Sequence, residues 1–321
     1  MSGTYAEECC DNFAKAINTV YSVNYLRLPT ATDVKRVLKL HKAIHNIDGM
    51  FGSLDCTHTY WKNCPKAWQQ SFLGKEDKPS IAMEAVADFN LFFWHASYGY
   101  TGALNDLIIL SLSPLLDRML DGTFHALEEE AGVVPFEVSG ELFNNIFFLV
   151  DGIYPKYSRF VRGIKEPITQ TEKYYTAWQE AARKDIERAF GVLKNTWQFV
   201  DRPIHVLNLQ AIADKIQCCL ILHNMLVTDR VMEGPNYNYT EQYDPCHHVI
   251  VEGNGSVQQP IDLVGVQNRA ADEPRMAIGV ANTPRTVRNG MTRAERFQEL
   301  DDREENKRLH SAIMDIFSRS H

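Results

Sequence analysis

Residues 144–155, NNIFFLVDGIYP, decide the fold class of this chain. An unbroken apolar run from Ile146 to Val150 is typical of a strand buried on both faces. The run ends abruptly at Asp151 and a glycine, which is how such a strand usually leaves a sheet. The stretch therefore predicts a central strand followed at once by a carboxylate.

Further strands are predicted earlier in the chain. Residues 49–61, GMFGSLDCTHTYW, form one short β-type run. Residues 80–100 predict a hairpin of two strands that turns at Asp88 to Asn90. With residues 144–155, four strands are expected in one mixed sheet.

Helices are predicted on both sides of these strands. Two helices are expected within residues 5–48, the second capped by Thr32 or Asp33. The other predicted segments are an interrupted helix over 105–120 that starts at Asn105 or Asp106 and restarts at Pro114, an acidic loop, an amphipathic helix over 173–196 and a buried helix over 209–227. This order predicts an α/β fold with one mixed sheet flanked by helices.

Composition divides the chain into four segments. A helical segment at 1–48 precedes a domain at 49–230 that contains the sheet. Residues 231–290 are rich in Asn, Gln, Gly and Pro without periodicity, which predicts a flexible or partly disordered tail. A helix is predicted within 291–321, with an apolar stripe that could bind a partner: Phe297, Leu300, Leu309, Ile313 and Phe317.

Composition also excludes several classes of protein. The sequence contains no run of 18 apolar residues, which is the length that predicts a membrane-spanning helix. The acidic N-terminus does not resemble a secretory signal. Seven cysteines, partly in adjacent pairs, indicate reduced thiols, so we expect a soluble intracellular protein. The net charge of −8 argues against nonspecific coating of nucleic acid and leaves only local contacts, for instance by the basic segment 156–202.

Three carboxylates are candidates for one site. Asp55 ends the apolar run GSLDC, Asp151 follows the run FFLV, and Glu187 lies on the helical stretch 183–194, RKDIERAFGVLK. As a helix, this stretch places Arg183, Glu187 and Lys194 within about 40° of one another, beside an apolar stripe that can pack on the sheet.

This donor set indicates chemistry on phosphodiesters. Carboxylates gathered without a cation raise one another's pKa, so they are expected to bind Mg²⁺ or Mn²⁺. Two such ions about 3.5 to 4 Å apart can activate a water or a 3′ hydroxyl and stabilise the leaving oxygen. Arg183 and Lys194 would then contact phosphate. Structural readings stay open: each Asp can serve as a turn or cap residue, and Glu187 can form a surface pair with Arg183.

Longer motifs carry a resemblance to a known family. They are GMFGSLDCTHTYWKNCPKAW, KPSIAMEAVADFNLFFWHASYG, GALNDLIILSLSPLL, FFLVDGIYPKYSRFV, EAARKDIERAFGVLK and CLILHNMLV. In this order, between about residues 5 and 228, they resemble transposases of the PIF/Harbinger superfamily, in the plant-transposon-protein branch.

The resemblance implies a DDE-type nuclease domain with an RNase H-like fold. It implies that Asp55, Asp151 and Glu187 are the catalytic, metal-binding carboxylates, and that Arg183 and Lys194 belong to the Arg-x3-Glu-x6-Lys pattern around Glu187. Asp106 matches the family's Asn-Asp pair and is either a further metal ligand or a group that supports the ligands.

The resemblance also implies partners and a location. The expected activity is hydrolysis of DNA at transposon ends followed by strand transfer into target DNA, in the nucleus, with a Myb-like DNA-binding partner and further copies of the chain. A catalytically inactive or domesticated nuclear protein, which binds DNA or a protein partner, is the alternative. The intact carboxylates favour the first function.

Overall fold

The computed structural model describes residues 3–74, 76–233 and 291–318. Within them, a five-stranded sheet has the strand order β3-β2-β1-β6-β7, and a separate hairpin pairs β4 with β5. The strands are β1 (Met50–Tyr60), β2 (Ser80–Ala87), β3 (Phe93–Thr101), β4 (Phe136–Val138), β5 (Glu141–Phe143), β6 (Phe147–Val150) and β7 (Phe160–Arg162).

The sheet is mixed, as the sequence predicts. β1, β2 and β3 are antiparallel, whereas β1 pairs with β6 and β6 pairs with β7 in parallel. Ser53 of β1 lies between Ala87 on one side and Leu149 on the other, which makes β1 the central strand. Gly52 permits this arrangement, because a Cβ there would lie 2.6 Å from the carbonyl oxygen of Ala87.

Helices flank this sheet and connect its strands. The segments are α1 (Gly3–Tyr25), α2 (Ala31–His45), α3 (Asp106–Leu112), α4 (Pro114–Leu120), α5 (Thr123–Ala131), α6 (Gln170–Thr196), α7 (Gln198–Asp201), α8 (Leu209–Glu233), α9 (Arg293–Leu300) and α10 (Arg303–Ser318). The predicted helices over 173–196 and 209–227 are confirmed as α6 and α8. The interruption at Pro114 is confirmed as the boundary between α3 and α4.

α6 lies on one face of the sheet. It begins with a capping box formed by Thr169 and Glu172, and its apolar residues recur at helical spacing. Ile186, Phe190 and Leu193 are buried in a core shared with β2, β3 and α8. The apolar stripe therefore packs on the sheet as predicted, and it leaves the neighbouring polar stripe at the edge of the contact.

The opposite face is covered by α2, α4 and α5. Val34 and Val37 of α2 share a buried cluster with Leu54 of β1 and Phe148 of β6. Both faces of the central strands are therefore shielded from water. Among the residues described, no helix is long and apolar enough to cross a membrane.

Several sequence-based expectations were wrong. The acidic loop after α4 contains α5 and the β4–β5 hairpin, and β7 adds a fifth strand to the predicted four. The sequence did not predict α5 because its buried side includes a charged residue, Glu128, whose carboxylate pairs with the buried Arg159. The cap of α2 is Thr30, and Asp33 completes its capping box three residues later.

The C-terminal segment also differs from expectation. Two helices, α9 and α10, replace the single predicted helix, and they separate at Asp301 and Asp302. Leu300, Leu309 and Ile313 are buried in the cores of this same chain and Phe317 packs against one of them, so most of the stripe proposed for a partner packs internally, whereas Phe297 is 42% exposed. The predicted flexible tail lies outside the described residues from position 234 to 290, and the division into four segments stays a prediction.

Candidate active site

Asp55 lies in the middle of β1, not at the end of the strand as its position after an apolar run suggested. The strand continues to Tyr60 because residues 53–60 pair with β2. The carboxylate of Asp55 is one-fifth exposed and accepts a hydrogen bond from the backbone N–H of Cys56 at 2.8 Å. A mid-strand position gives this carboxylate a rigid support.

Asp151 directly follows β6 and is exposed. The parallel register pairs Ser53 with Leu149. Asp55 lies two residues beyond Ser53 within β1, and Asp151 lies two residues beyond Leu149, just after β6 ends at Val150. Gly152 donates its backbone N–H to the carboxylate of Asp151 at 2.7 Å.

Glu187 lies on α6 and is connected to Asp55 by Arg183, which contacts both carboxylates. Arg183 Nη1 donates to Asp55 Oδ2 at 3.0 Å, and Arg183 Nη2 lies 2.9 Å from Glu187 Oε1. The guanidinium is largely buried, whereas the Glu187 side chain is about half exposed, at 48%. Arg183 thus bridges two predicted catalytic carboxylates from different elements.

The pKa of Asp55 depends on burial and on the charged groups around it. Burial raises the pKa of Asp55, and the negative charges of Asp106 and Glu187 raise it further. The Cys56 N–H and the Arg183 guanidinium act in the opposite direction. Asp55 therefore lies within electrostatic range of two of the other predicted carboxylates.

Asp106 is the first residue of α3, and Asn105 is the cap. The side chain of Asn105 accepts a hydrogen bond from the backbone N–H of Ile108 at 2.9 Å. This resolves the choice that the sequence left open between the two residues. It also leaves the Asp106 carboxylate available for another role near Asp55.

Lys194 is placed differently from Arg183. Its Nζ donates to Thr57 Oγ1 at 2.7 Å and to the carbonyl oxygen of His58 at 3.2 Å. Burial lowers the pKa of Lys194, although Asp201 counteracts this. Lys194 therefore ties α6 to β1 at residues that follow Asp55.

The candidate site offers oxygen donors of the kind that a hard divalent cation requires. Among residues 3–74, 76–233 and 291–318, no group of three or more His, Cys, Asp or Glu has the geometry of a metal site. The chemistry of the donors nevertheless fits, because Asp55, Asp106, Asp151 and Glu187 offer only oxygen atoms and raise the local negative charge. Arg183 supplies the compensating positive charge.

A buried polar cluster under α3 was missed by the sequence-based reasoning. Nε2 of His95 on β3 lies 3.3 Å from Oε2 of Glu84 on β2, and Ser113, between α3 and α4, donates to the same carboxylate. All three are buried. The only signal for this cluster in the sequence is the presence of Glu84 and His95 within two apolar strands. Polar residues in a strand more often lie on a face exposed to solvent.

The part of the chain that contains these residues matches a known protein family. A family model described as plant transposon protein matches residues 23–233. The chain belongs to the plant transposon protein family. The match covers the five-stranded sheet and every predicted site residue, so the plant transposon protein assignment applies to the region that contains the candidate site. No curated protein and no solved structure matches the chain.

Proposed function

We propose that this plant transposon protein is a DDE-type transposase and endonuclease that cleaves DNA at transposon ends and joins them to target DNA. The observation that carries the proposal is the convergence of acids from three elements: Asp55 from β1, Glu187 from α6 and Asp106 from α3. Asp151 follows β6, the parallel neighbour of β1, and is proposed as the remaining carboxylate.

The strand order supports an RNase H-like fold. Three antiparallel strands followed by two parallel strands, with helices on both faces, is the arrangement that this fold requires. The central strand carries the first carboxylate and its parallel neighbour leads to the second. A long helix on one face contributes the third.

Asp55, Asp151 and Glu187 would hold Mg²⁺ or Mn²⁺, with Asp106 as a further ligand or a support. When bound, a pair of such ions would activate a water or a 3′ hydroxyl and stabilise the leaving 3′ oxygen. Asp55 and Asp151 provide rigid oxygen donors, because each follows a buried segment of the sheet. Arg183, released from its carboxylates, would bind a DNA phosphate, and Lys194 would hold α6 against β1 or contact a second phosphate.

The expected setting is the nucleus, with transposon ends and target DNA as substrates. A Myb-like protein would supply sequence-specific recognition, and further copies of the chain would bring two ends together. These partners follow from the family resemblance.

The decisive experiment combines metal binding with DNA cleavage. Mn²⁺ is titrated calorimetrically into the wild type and into Asp55→Asn, Asp151→Asn and Glu187→Gln. Each protein is then incubated with a plasmid that carries the terminal sequences flanking the gene. Each substitution is expected to reduce cleavage at least 100-fold and to weaken Mn²⁺ binding, because it removes a charged oxygen ligand.

Glu180→Gln is the matched control, since Glu180 is exposed and lies two helical turns before Glu187 on α6. It should retain wild-type cleavage and metal affinity. Substantial cleavage by any of the three site variants would remove that residue from the catalytic set.

One observation favours the alternative of a non-catalytic DNA- or partner-binding protein. The guanidinium of Arg183 neutralises Asp55 and Glu187 in the way a structural ion-pair network does. A wild-type protein that binds neither Mn²⁺ alone nor Mn²⁺ with DNA would support this alternative.

A further inference from the structure

The C-terminal helices α9 and α10 contact the loop that follows Asp151. We call residues 152–159 the Asp151 loop, and residues 291–318 the C-terminal brace. The brace lies beyond the family match, which ends at residue 233. Its contacts with the loop are therefore additional to the features that define the family.

Asn306 makes the most direct of these contacts. Its side-chain amide donates to the carbonyl oxygen of Tyr157 at 2.6 Å and to that of Phe160 at 2.7 Å. Only 2% of Asn306 is exposed, so both bonds form away from water. One buried side chain thus holds two backbone positions at the end of the Asp151 loop.

The end of α9 contributes a second contact. The backbone N–H of Ser158 donates to the carbonyl oxygen of Leu300 at 2.8 Å. The hydroxyl of Ser158 donates to the carbonyl oxygen of Glu299 at 3.1 Å. The loop therefore satisfies carbonyls at the C-terminal end of α9, and these groups have no partner within the helix.

His310 of α10 connects the brace to the beginning of the loop. The N–H of Arg162 donates to His310 Nε2 at 3.4 Å, and His310 Nδ1 lies 2.9 Å from the hydroxyl of Tyr175. That hydroxyl donates to the carbonyl oxygen of Arg162 at 2.6 Å. Arg162 in turn donates to the carbonyl oxygens of Tyr154 at 2.9 Å and Gly152 at 3.3 Å.

These contacts surround a loop that has its own internal anchors. Tyr154 is fully buried, and the buried Arg159 pairs with Glu128 of α5. The brace contacts Tyr157 and Ser158, which lie between these two anchors in the chain, and it also contacts β7. Asp151 itself is exposed and precedes the loop directly, so the position of the loop backbone determines the direction of its carboxylate.

We propose that the C-terminal brace positions the Asp151 loop, with Asn306 and His310 as the positioning residues, and thereby sets the place of the Asp151 carboxylate in the candidate active site. The catalytic consequence rests on the proposed function. The effect on the loop does not, because it depends only on the hydrogen bonds described above.

The test uses hydrogen exchange of the full chain, followed by mass spectrometry, for Asn306→Ala and His310→Gln. Asn306→Ala removes the bonds to Tyr157 in the loop and to Phe160 at the start of β7, and it is expected to speed exchange of the amides of residues 154–160 on the order of tenfold, with β2 unchanged. His310→Gln keeps an acceptor and a donor and should show a smaller increase. The same proteins are titrated with Mn²⁺ and assayed for cleavage at saturating DNA.

Lys307→Gln is the control, because Lys307 is exposed on α10 and pairs only with the exposed Glu304 among its described contacts. Faster exchange confined to the loop, with weaker Mn²⁺ binding and unchanged DNA affinity, supports the proposal. Exchange in the loop that matches Lys307→Gln in both variants overturns it. If the wild type neither binds Mn²⁺ nor cleaves DNA, the proposed function fails, while loop exchange still decides whether the brace positions the loop.

Discussion

At the scale of single residues, Arg183 determines the electrostatic state of the site. Its guanidinium bonds to Asp55 from β1 and to Glu187 one turn further along its own helix. A cation of this kind offsets the repulsion that Asp106 and Glu187 exert on Asp55. Under the proposed function, Arg183 would compete with a metal ion for the same oxygens, and a DNA phosphate would draw it away from them.

Arg183→Gln is expected to change metal and DNA binding in opposite directions. Mn²⁺ affinity of the free protein should rise several-fold, because the carboxylates lose their internal cation. DNA affinity should fall and the slope of log K against log salt should decrease by about 1, as for one lost phosphate contact. Calorimetry and fluorescence anisotropy measure the two effects.

Lys184→Gln removes the same charge from the adjacent, exposed position of α6 and serves as the control. An unchanged salt slope in Arg183→Gln would show that the arginine is a structural ion pair only.

Lys194 is expected to act mainly on stability. Lys194→Met removes the hydrogen bonds to Thr57 and to the carbonyl of His58, so the free energy of unfolding should fall by about 1 to 3 kcal/mol. Urea denaturation measures this change, and the salt slope of DNA binding measured beside it tests the predicted phosphate contact. If Lys194→Met keeps wild-type stability but shows a smaller salt slope of DNA binding, Lys194 contacts DNA phosphate and does not stabilise the fold.

At the scale of elements, the junction between α3 and α4 positions Asp106. Ser113 ends α3 and caps α4, where its hydroxyl accepts a hydrogen bond from the N–H of Leu115 at 3.1 Å. The same hydroxyl donates to the buried carboxylate of Glu84 on β2. The two helices are thus attached to the sheet at the point where they meet.

Ser113→Ala is expected to lower the free energy of unfolding by about 2 kcal/mol, because α4 loses its cap and buried Glu84 loses a donor. Urea denaturation gives the value. Ser111→Ala is the control, since Ser111 is exposed and bonds only locally to the carbonyl of Ile108 among its described contacts. Equal stability of the two variants would show that the Glu84 contact contributes nothing.

At the scale of the whole molecule, buried histidines make stability depend on pH. Burial lowers the pKa of His45, His223 and His310 to about 4, and it lowers the pKa of His41 and His95 as well. Below the ordinary value of 6.5, the unfolded chain binds protons that the folded chain excludes. Stability contributed by the neutral histidines is therefore lost as the pH falls from 6.5 toward 4.

Carboxyls with a raised pKa, such as Asp55 and Asp185, act in the opposite direction. Burial raises the pKa of Asp185 to about 7, and Asp88 raises it further, while Arg188 lowers it. Because the folded state holds this proton and the unfolded state does not, Asp185 stabilises the fold as the pH falls from 7 to 3.8. Several histidines outweigh this contribution.

The expected outcome is a decrease in the free energy of unfolding between pH 6.5 and 5. Each fully buried histidine contributes a slope of about 1.4 kcal/mol per pH unit. His223→Gln should remove one such contribution, and His205→Gln, at an exposed position, is the control. Urea denaturation at several pH values measures the slopes, and a flat profile in the wild type would contradict the expectation.

Local sequence patterns predicted the elements whose signals are strong. The apolar run before Asp151, the hairpin at Asp88 and the long amphipathic helix all appear in the structure. The three-residue strands and α5 were missed, because their stability comes from contacts such as Arg159 with Glu128 and not from periodicity.

The sequence by itself determined which residues could form the site, since acids at the ends of apolar runs and on the edge of an amphipathic helix are visible without coordinates. Only the tertiary structure decided how they are neutralised, because the bond from Arg183 to Asp55 joins residues 128 positions apart. It likewise decided that Leu300, Leu309 and Ile313 of the C-terminal stripe pack inside the molecule. A helical pattern specifies an apolar face, and the long-range packing of the chain specifies what covers it.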